Sequence, residues 1–147
     1  MRAEILIVMS GYQSNIKSET RQKKDEWIAK MEPLLKKKVR MVINGSILVV
    51  RFTRYGNNHL YSNAVWKGSP IQTCDLPEMD LLLAKSQYVK CDPAKERHDG
   101  IISFYYFKVE LRGITTYLNV ASRVKNKGSI ETFLYAVTAK LKETENG

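Results

Sequence analysis

The sequence predicts an α+β domain, a twisted antiparallel sheet of about four or five strands with helices packed on one face. Two kinds of observation carry this. Two turn dipeptides are each flanked by residues that alternate between apolar and polar, and separate segments carry apolar residues at helical spacing. The first dipeptide lies in "VRMVINGSILVVRFTR". Asn44-Gly45 is the pair that a type I′ hairpin prefers, which sets Ile43 opposite Ser46 and Met41 opposite Leu48. Because side chains alternate across a strand, Val39, Met41, Ile43, Leu48, Val50 and Phe52 share one face. Lys38, Arg40, Arg51 and Thr53 fall on the other, with Val42, Ile47 and Val49.

The second hairpin is "SFYYFKVELRGITTYLNV", turning at Arg112-Gly113. Leu111 then meets Ile114, Val109 meets Thr116, Phe107 meets Leu118 and Tyr105 meets Val120 on the core face. The opposite face pairs Glu110 with Thr115, Lys108 with Tyr117 and Tyr106 with Asn119, and ends with Ile102 near Arg123. That face is polar yet aromatic. Tyrosine and threonine are good strand formers, so a plain strand surface accounts for it as readily as a binding surface does.

Elsewhere the elements come from helical spacing. Ile5 to Met9 fits an edge strand. From about Asn15 to Glu32, Trp27, Ile28, Met31 and then Leu35 form a narrow apolar stripe, and Pro33 should end or kink that helix. "YGNNHLYSNAVWKGSP" reads as a polar, aromatic connection with one helical turn around His59. In "LPEMDLLLAKSQYV", Pro77 suits a first helical turn, and Met79, Leu82 and Leu83 make a buried stripe. "CDPAKERHDG" reads as a charged loop. Ser129 can cap a last helix in which Ile130, Phe133, Leu134, Val137 and Leu141 recur at helical spacing. Residues 143–147, "ETENG", read as a frayed tail.

The 147 residues fit one domain, large enough to bury a core without disulfides or metal. No repeat or low-complexity tract interrupts it. Cys74 and Cys91 are isolated thiols without metal-ligand spacing, expected to be reduced and partly buried, so neither a metal nor another cofactor is expected. No apolar run approaches the roughly 20 residues that span a bilayer, and "ILIVM" is too short for a signal-peptide core; a cytoplasmic protein is expected. The formal net charge of +9 suits a partner that is a polyanion, nucleic acid first. Part of that excess sits in Lys36 to Lys38, which also fits a solvated helix end. Gly-rich phosphate loops, H-E-x-x-H, G-x-S-x-G and clustered carboxylates are absent, leaving no footing for an ATPase, zinc protease or serine hydrolase.

Three stretches in order, "VVRFTRYGNNH", "LPEMDLLLAKSQYV" and "FYYFKVELRGITTYLNV", resemble nuclease-like domains of mobile-element polyvalent proteins and phage-associated toxins. These belong to the barnase, EndoU, colicin and RelE-like superfamily of metal-independent ribonucleases. The resemblance spans about residues 39–124 and is carried by hydrophobic pattern, without a catalytic string. It implies an endoribonuclease acting on RNA, with a neutralising antitoxin or another acidic protein as a further partner.

Metal-independent cleavage needs a group to activate the 2′-hydroxyl, cations to stabilise charge on the phosphate, and a proton donor for the leaving oxygen. His59 suits the first or last task, Arg51 and Lys108 the second, and Tyr106 can orient or donate. Arg40, Arg54, Tyr117, Asn119, Arg123 and His98 are candidates for contacting single-stranded RNA, by phosphate pairing or stacking on bases. Solvated loop histidines and edge-protecting cations are the plainer readings of the same residues. The alternative function is a non-catalytic phage or mobile-element accessory protein that binds nucleic acid or an acidic protein through the basic sheet face.

Overall fold

The computed structural model describes residues 21–95 and 99–141. The expected strand at Ile5 to Met9, the expected helix start before residue 21, His98 and the tail from residue 143 lie outside the described residues. Helix α1, over residues 21–31, buries Trp27 and Met31. Pro33 follows it into a 3-10 turn, Glu32–Lys36, which sends Leu34 and not Leu35 into the core. Both hairpins form at the expected register. Strands β1 (Lys38–Ile43) and β2 (Ser46–Arg51) pair Ile43 with Ser46 and Met41 with Leu48, around Asn44 and Gly45 at φ 49° and 83°. Val39, Met41 and Val50 are buried, whereas Val42 and Ile47 are 71% and 65% exposed, as the alternation requires.

Strands β4 (Ile101–Leu111) and β5 (Ile114–Val124) pair Leu111 with Ile114, Phe107 with Leu118 and Tyr106 with Asn119. An irregularity between Ile101 and Ser103 puts Ile101, not Ile102, opposite Arg123. Arg112 occupies the left-handed region of the turn at φ 49°. That conformation costs a side-chain-bearing residue roughly 1–2 kcal/mol. Its guanidinium is held across the molecule, donating to Asp75 Oδ1 and, at 2.7 Å, to the Pro70 carbonyl.

Three expected elements are corrected. The segment after Ser129 is not a helix but strand β6 (Ile130–Thr138), paired antiparallel with β5 and parallel with β2. A strand enclosed by neighbours and covered on both faces is apolar almost throughout, so its residues also satisfy a helical spacing. The stretch around His59 is not a connection but helix α2 (Arg54–Trp66), capped by the Thr53 hydroxyl, which accepts from Gly56 N at 3.0 Å. The helix of "LPEMDLLLAKSQYV" is shorter than expected: a 3-10 turn Thr73–Glu78 contains Pro77, α3 covers Met79–Ala84, and Gln87–Pro93 is strand β3.

The sheet therefore has six strands in the order β1-β2-β6-β5-β4-β3, mixed because of the β2–β6 pairing, within an α+β architecture. Its inner face carries the main core, where Val50, Phe107, Leu118, Val120, Leu134 and Val137 meet Met31, Leu60, Leu76, Met79 and Leu83. Tyr105 is half-buried against this core. The outer face carries a smaller cluster of Ile101, Ala121, Phe133, Tyr135 and Ala136. Helix α2 packs against β6 so closely that a Cβ on Gly56 would stand 2.3 Å from the Leu134 carbonyl oxygen. Cys74 and Cys91 are exposed, not partly buried: in the turn Leu76, and not Cys74, enters the core, and Cys91 lies on the edge strand β3.

Candidate nucleic-acid interface

Two residues before Phe133, β6 places Glu131 on the outer face, and β2 places Arg51 and Val49 beside it. Together with Lys38 and Arg40 of β1 and Lys125 of the β5–β6 connection, they line a groove of about 390 Å³. The hairpin alternation is what gathers these cations. Lys38 pairs with Arg51 and Arg40 with Val49, so alternate positions on two adjacent strands project to one side. Glu131 accepts from Arg123 Nη2 at 2.9 Å and forms an ion pair with Lys125, whose Nζ lies 3.3 Å away. Lys125 also lines a second hollow with Asp99, Arg123 and Asn126, so the basic surface continues around the end of the sheet.

Arg123 lies 4.4 Å above the Tyr55 ring and 5.3 Å from that of Phe133. Such placement over aromatic faces fixes a guanidinium without consuming all of its donors. Tyr55 in turn donates its hydroxyl to Asp99 Oδ2 at 3.2 Å.

His59 lies inside α2 and not in a loop. Its ring stacks on Tyr135 with centroids 3.7 Å apart, and Nδ1 lies 3.0 Å from the Tyr135 carbonyl oxygen. A carbonyl only accepts, so Nδ1 carries the hydrogen, and in the neutral ring Nε2 holds the lone pair. The acceptor has a structural origin. Asn119 faces Ala136 while Val120 faces Leu134, leaving Tyr135 as the extra residue of a bulge. The bulge turns Tyr135 and Ala136 to the same outer cluster and frees the Tyr135 carbonyl for α2.

Tyr106 is 5% exposed, so its ring is a buried part of the outer face and not a free platform. Lys90 Nζ lies 5.4 Å from its centroid, and Lys90 pairs with Asp92 at 3.1 Å. Burial, then the neighbouring Asp92 and Cys91, raise the Tyr106 pKa above the ordinary value of 10.0. Below pH ~10 both folded and unfolded chains keep this proton; above it the unfolded chain loses the proton first. Stability should therefore fall as pH rises past about 10. Melting curves at increasing alkaline pH should show a smaller fall for Tyr106→Phe than for the unaltered chain, and identical falls would deny Tyr106 this role.

The four residues proposed for catalysis do not share a cavity. Arg51 lines the basic groove, His59 lies against Tyr135, and Tyr106 is covered beside Lys90. Lys108 lines another hollow with Lys85, Gln87 and Glu110. Among the binding candidates, Arg40 joins Arg51, and Arg123 borders the same surface through Glu131. Tyr117 lies half-buried opposite Lys108, and Asn119 lies beside Tyr106 with its Oδ1 buried and unpartnered. Arg54 is directed to Glu32, 3.4 Å away, and links α2 to the turn after α1.

Sequence reasoning missed Tyr55, Lys125, Glu131 and Tyr135. Tyr55 and Tyr135 sat in misread elements, and no local pattern marks Lys125 or Glu131. Among the described residues no three His, Cys, Asp or Glu side chains gather as metal ligands, and no helix is long and apolar enough to cross a membrane. No protein-family model, curated protein or solved structure matches the chain, so the likeness to metal-independent ribonucleases rests on the sequence pattern alone.

Proposed function

We propose that the protein binds single-stranded RNA on the outer sheet face, with phosphates following Lys38, Arg40, Arg51 and Lys125 toward Arg123. The observation that carries this reading is the gathering of these cations along one open groove and its continuation through Lys125. Each phosphate neutralised releases condensed counterions, so the logarithm of affinity should fall with the logarithm of salt by about 0.7 per contact. Fluorescence titration of a uridine oligonucleotide at several salt concentrations measures this slope. Arg51→Ala should weaken binding and make the slope shallower by about 0.7 while leaving the melting temperature near that of the parent. A salt-independent affinity would remove RNA from the reading.

Chelator-insensitive RNA cleavage is the second reading, with His59, held in α2 against the Tyr135 carbonyl, as the side chain of a type suited to proton transfer. Incubation of labelled RNA with the protein and with His59→Ala, each with and without chelator, separates the two. Cleavage that persists in the variant would exclude His59 from the chemistry; binding without cleavage would leave the non-catalytic accessory role.

A further inference from the structure

The outer face of the first hairpin changes character along its length. Its residues come in cross-strand pairs, Val42 with Ile47 next to the Asn44-Gly45 turn, then Arg40 with Val49, then Lys38 with Arg51. All six side chains are exposed. The opposite face anchors the hairpin, because Val39, Met41 and Val50 are buried in the main core and Ile43 and Leu48 pack against it. Val42 and Ile47 are therefore presented by a supported surface. Val49 and Ile130, both exposed, extend the aliphatic area along the rim of the basic groove, so these are contiguous apolar side chains and not single ones scattered over a surface. A strand rises about 3.3 Å per residue, which sets the aliphatic pair about 7 Å ahead of Arg40 and about 14 Å ahead of Lys38 and Arg51.

We propose that this hairpin docks on the surface of an anionic lipid bilayer, with Val42 and Ile47 entering the boundary between headgroups and acyl chains and with Arg40, Lys38 and Arg51 meeting lipid phosphates. The spacing suits that interface, which takes up apolar groups to a depth of about 5–10 Å while basic side chains stay at the headgroups. Long arginine and lysine stems let the charges reach back to that level. Charge selects the bilayer over the other occupants, because an anionic leaflet attracts clustered cations and the chain carries a formal net charge of +9. A second copy docked on the same face would set these cations against one another. Nucleic acid would meet the cations but gain little from the aliphatic pair, since base stacking calls for aromatic or guanidinium planes. The docking is peripheral, needs no spanning segment, and does not rest on the RNA reading.

Co-sedimentation of the full chain with vesicles tests this, one set made of phosphatidylcholine alone and one of equal parts phosphatidylcholine and phosphatidylserine. The chain should pellet with the mixed vesicles and stay in solution with the neutral ones. Val42→Thr combined with Ile47→Thr keeps β-branched residues at exposed strand positions, so melting should match the parent while partition into mixed vesicles falls about tenfold or more. Arg40→Glu should weaken partition by a similar factor. Trp66→Ser is the control, because Trp66 is the most exposed large apolar side chain among the described residues yet belongs to α2; this variant should pellet as the parent does. No pelleting with mixed vesicles, equal partition into neutral ones, undiminished pelleting of the threonine variant, or its loss in Trp66→Ser would overturn the docking. The uridine oligonucleotide separates this proposal from the RNA reading. The threonine variant should bind it as the parent does, and loss of both ligands together would refute a lipid-specific role for the pair. If vesicles bind and the oligonucleotide does not, the docking stands and the RNA reading falls. If the oligonucleotide alone binds, the docking is refuted.

Discussion

Replacing Gly56 by alanine is expected to destabilise the protein by about 1–3 kcal/mol, the usual cost of forcing extra volume into a packed site. The added Cβ would fall 2.3 Å from the Leu134 oxygen and 2.9 Å from Phe133 Cδ2. The nearer obstacle is main chain of a buried strand, which cannot swing aside as a long side chain could. The sign is informative because alanine is otherwise the better helix former by roughly 1 kcal/mol. Asn58→Ala, at an exposed position of the same helix, is the control and should be neutral or slightly stabilising. Urea unfolding of both variants gives the comparison; equal midpoints would mean that α2 does not pack on β6 as described.

A larger loss, about 3–5 kcal/mol, is expected for Phe133→Ala. Phe133 is fully buried, stands at the one ladder position joining β2 to β6, and contacts the Tyr55 ring edge-on at 5.8 Å. Its removal opens a cavity where the first hairpin, α2 and the remaining sheet meet. Phe104→Ala, at a half-buried ring of the same cluster, should cost less. Chemical denaturation orders the two, and a Phe133 loss no greater than that of Phe104 would contradict this junction.

What the sequence disclosed and what it hid have physical causes. Both hairpins were legible because Asn44-Gly45 and Arg112-Gly113 fix the turns, and a one-residue slip would move every apolar side chain to the wrong face. Helix α2 was hidden because its buried side consists of Gly56, Asn57, Leu60 and Asn63, two of them amides with an unpartnered buried Oδ1. The helical period is there, but polar residues carry it. Thr53 before Arg54 was the available clue, a capping hydroxyl.

β6 was misread for the opposite reason, an excess of apolar residues, although Ile, Thr, Phe, Tyr and Val are the types that favour strands. β3 escaped notice as a short edge strand with an irregularity after Tyr88 and a proline at its end. The site suffered accordingly. Arg40 and Arg51 were placed correctly on the outer face, because their hairpin is set by local signals. Lys125, Glu131 and Tyr135 reach the same surface only through the β5–β6 and β2–β6 pairings, which no nearby residues announce.

The position of β6 between β2 and β5 also bears on how the chain is made. The first hairpin closes on itself through near neighbours, but residue 51 has its sheet partner at residue 133. During synthesis β1 and β2 therefore lack their link to the rest of the sheet until the strand at residues 130–138 has emerged, although earlier segments such as α3 can already cover their apolar face. A two-stranded hairpin alone is marginal in water, and this one carries both an apolar face and unpaired edges. Joining the first hairpin to the rest of the sheet should thus be a late event governed by a long-range contact. Lys38, Arg40 and Arg51, exposed on the hairpin from the start, would by mutual repulsion keep nascent copies of the hairpin from associating before β6 arrives.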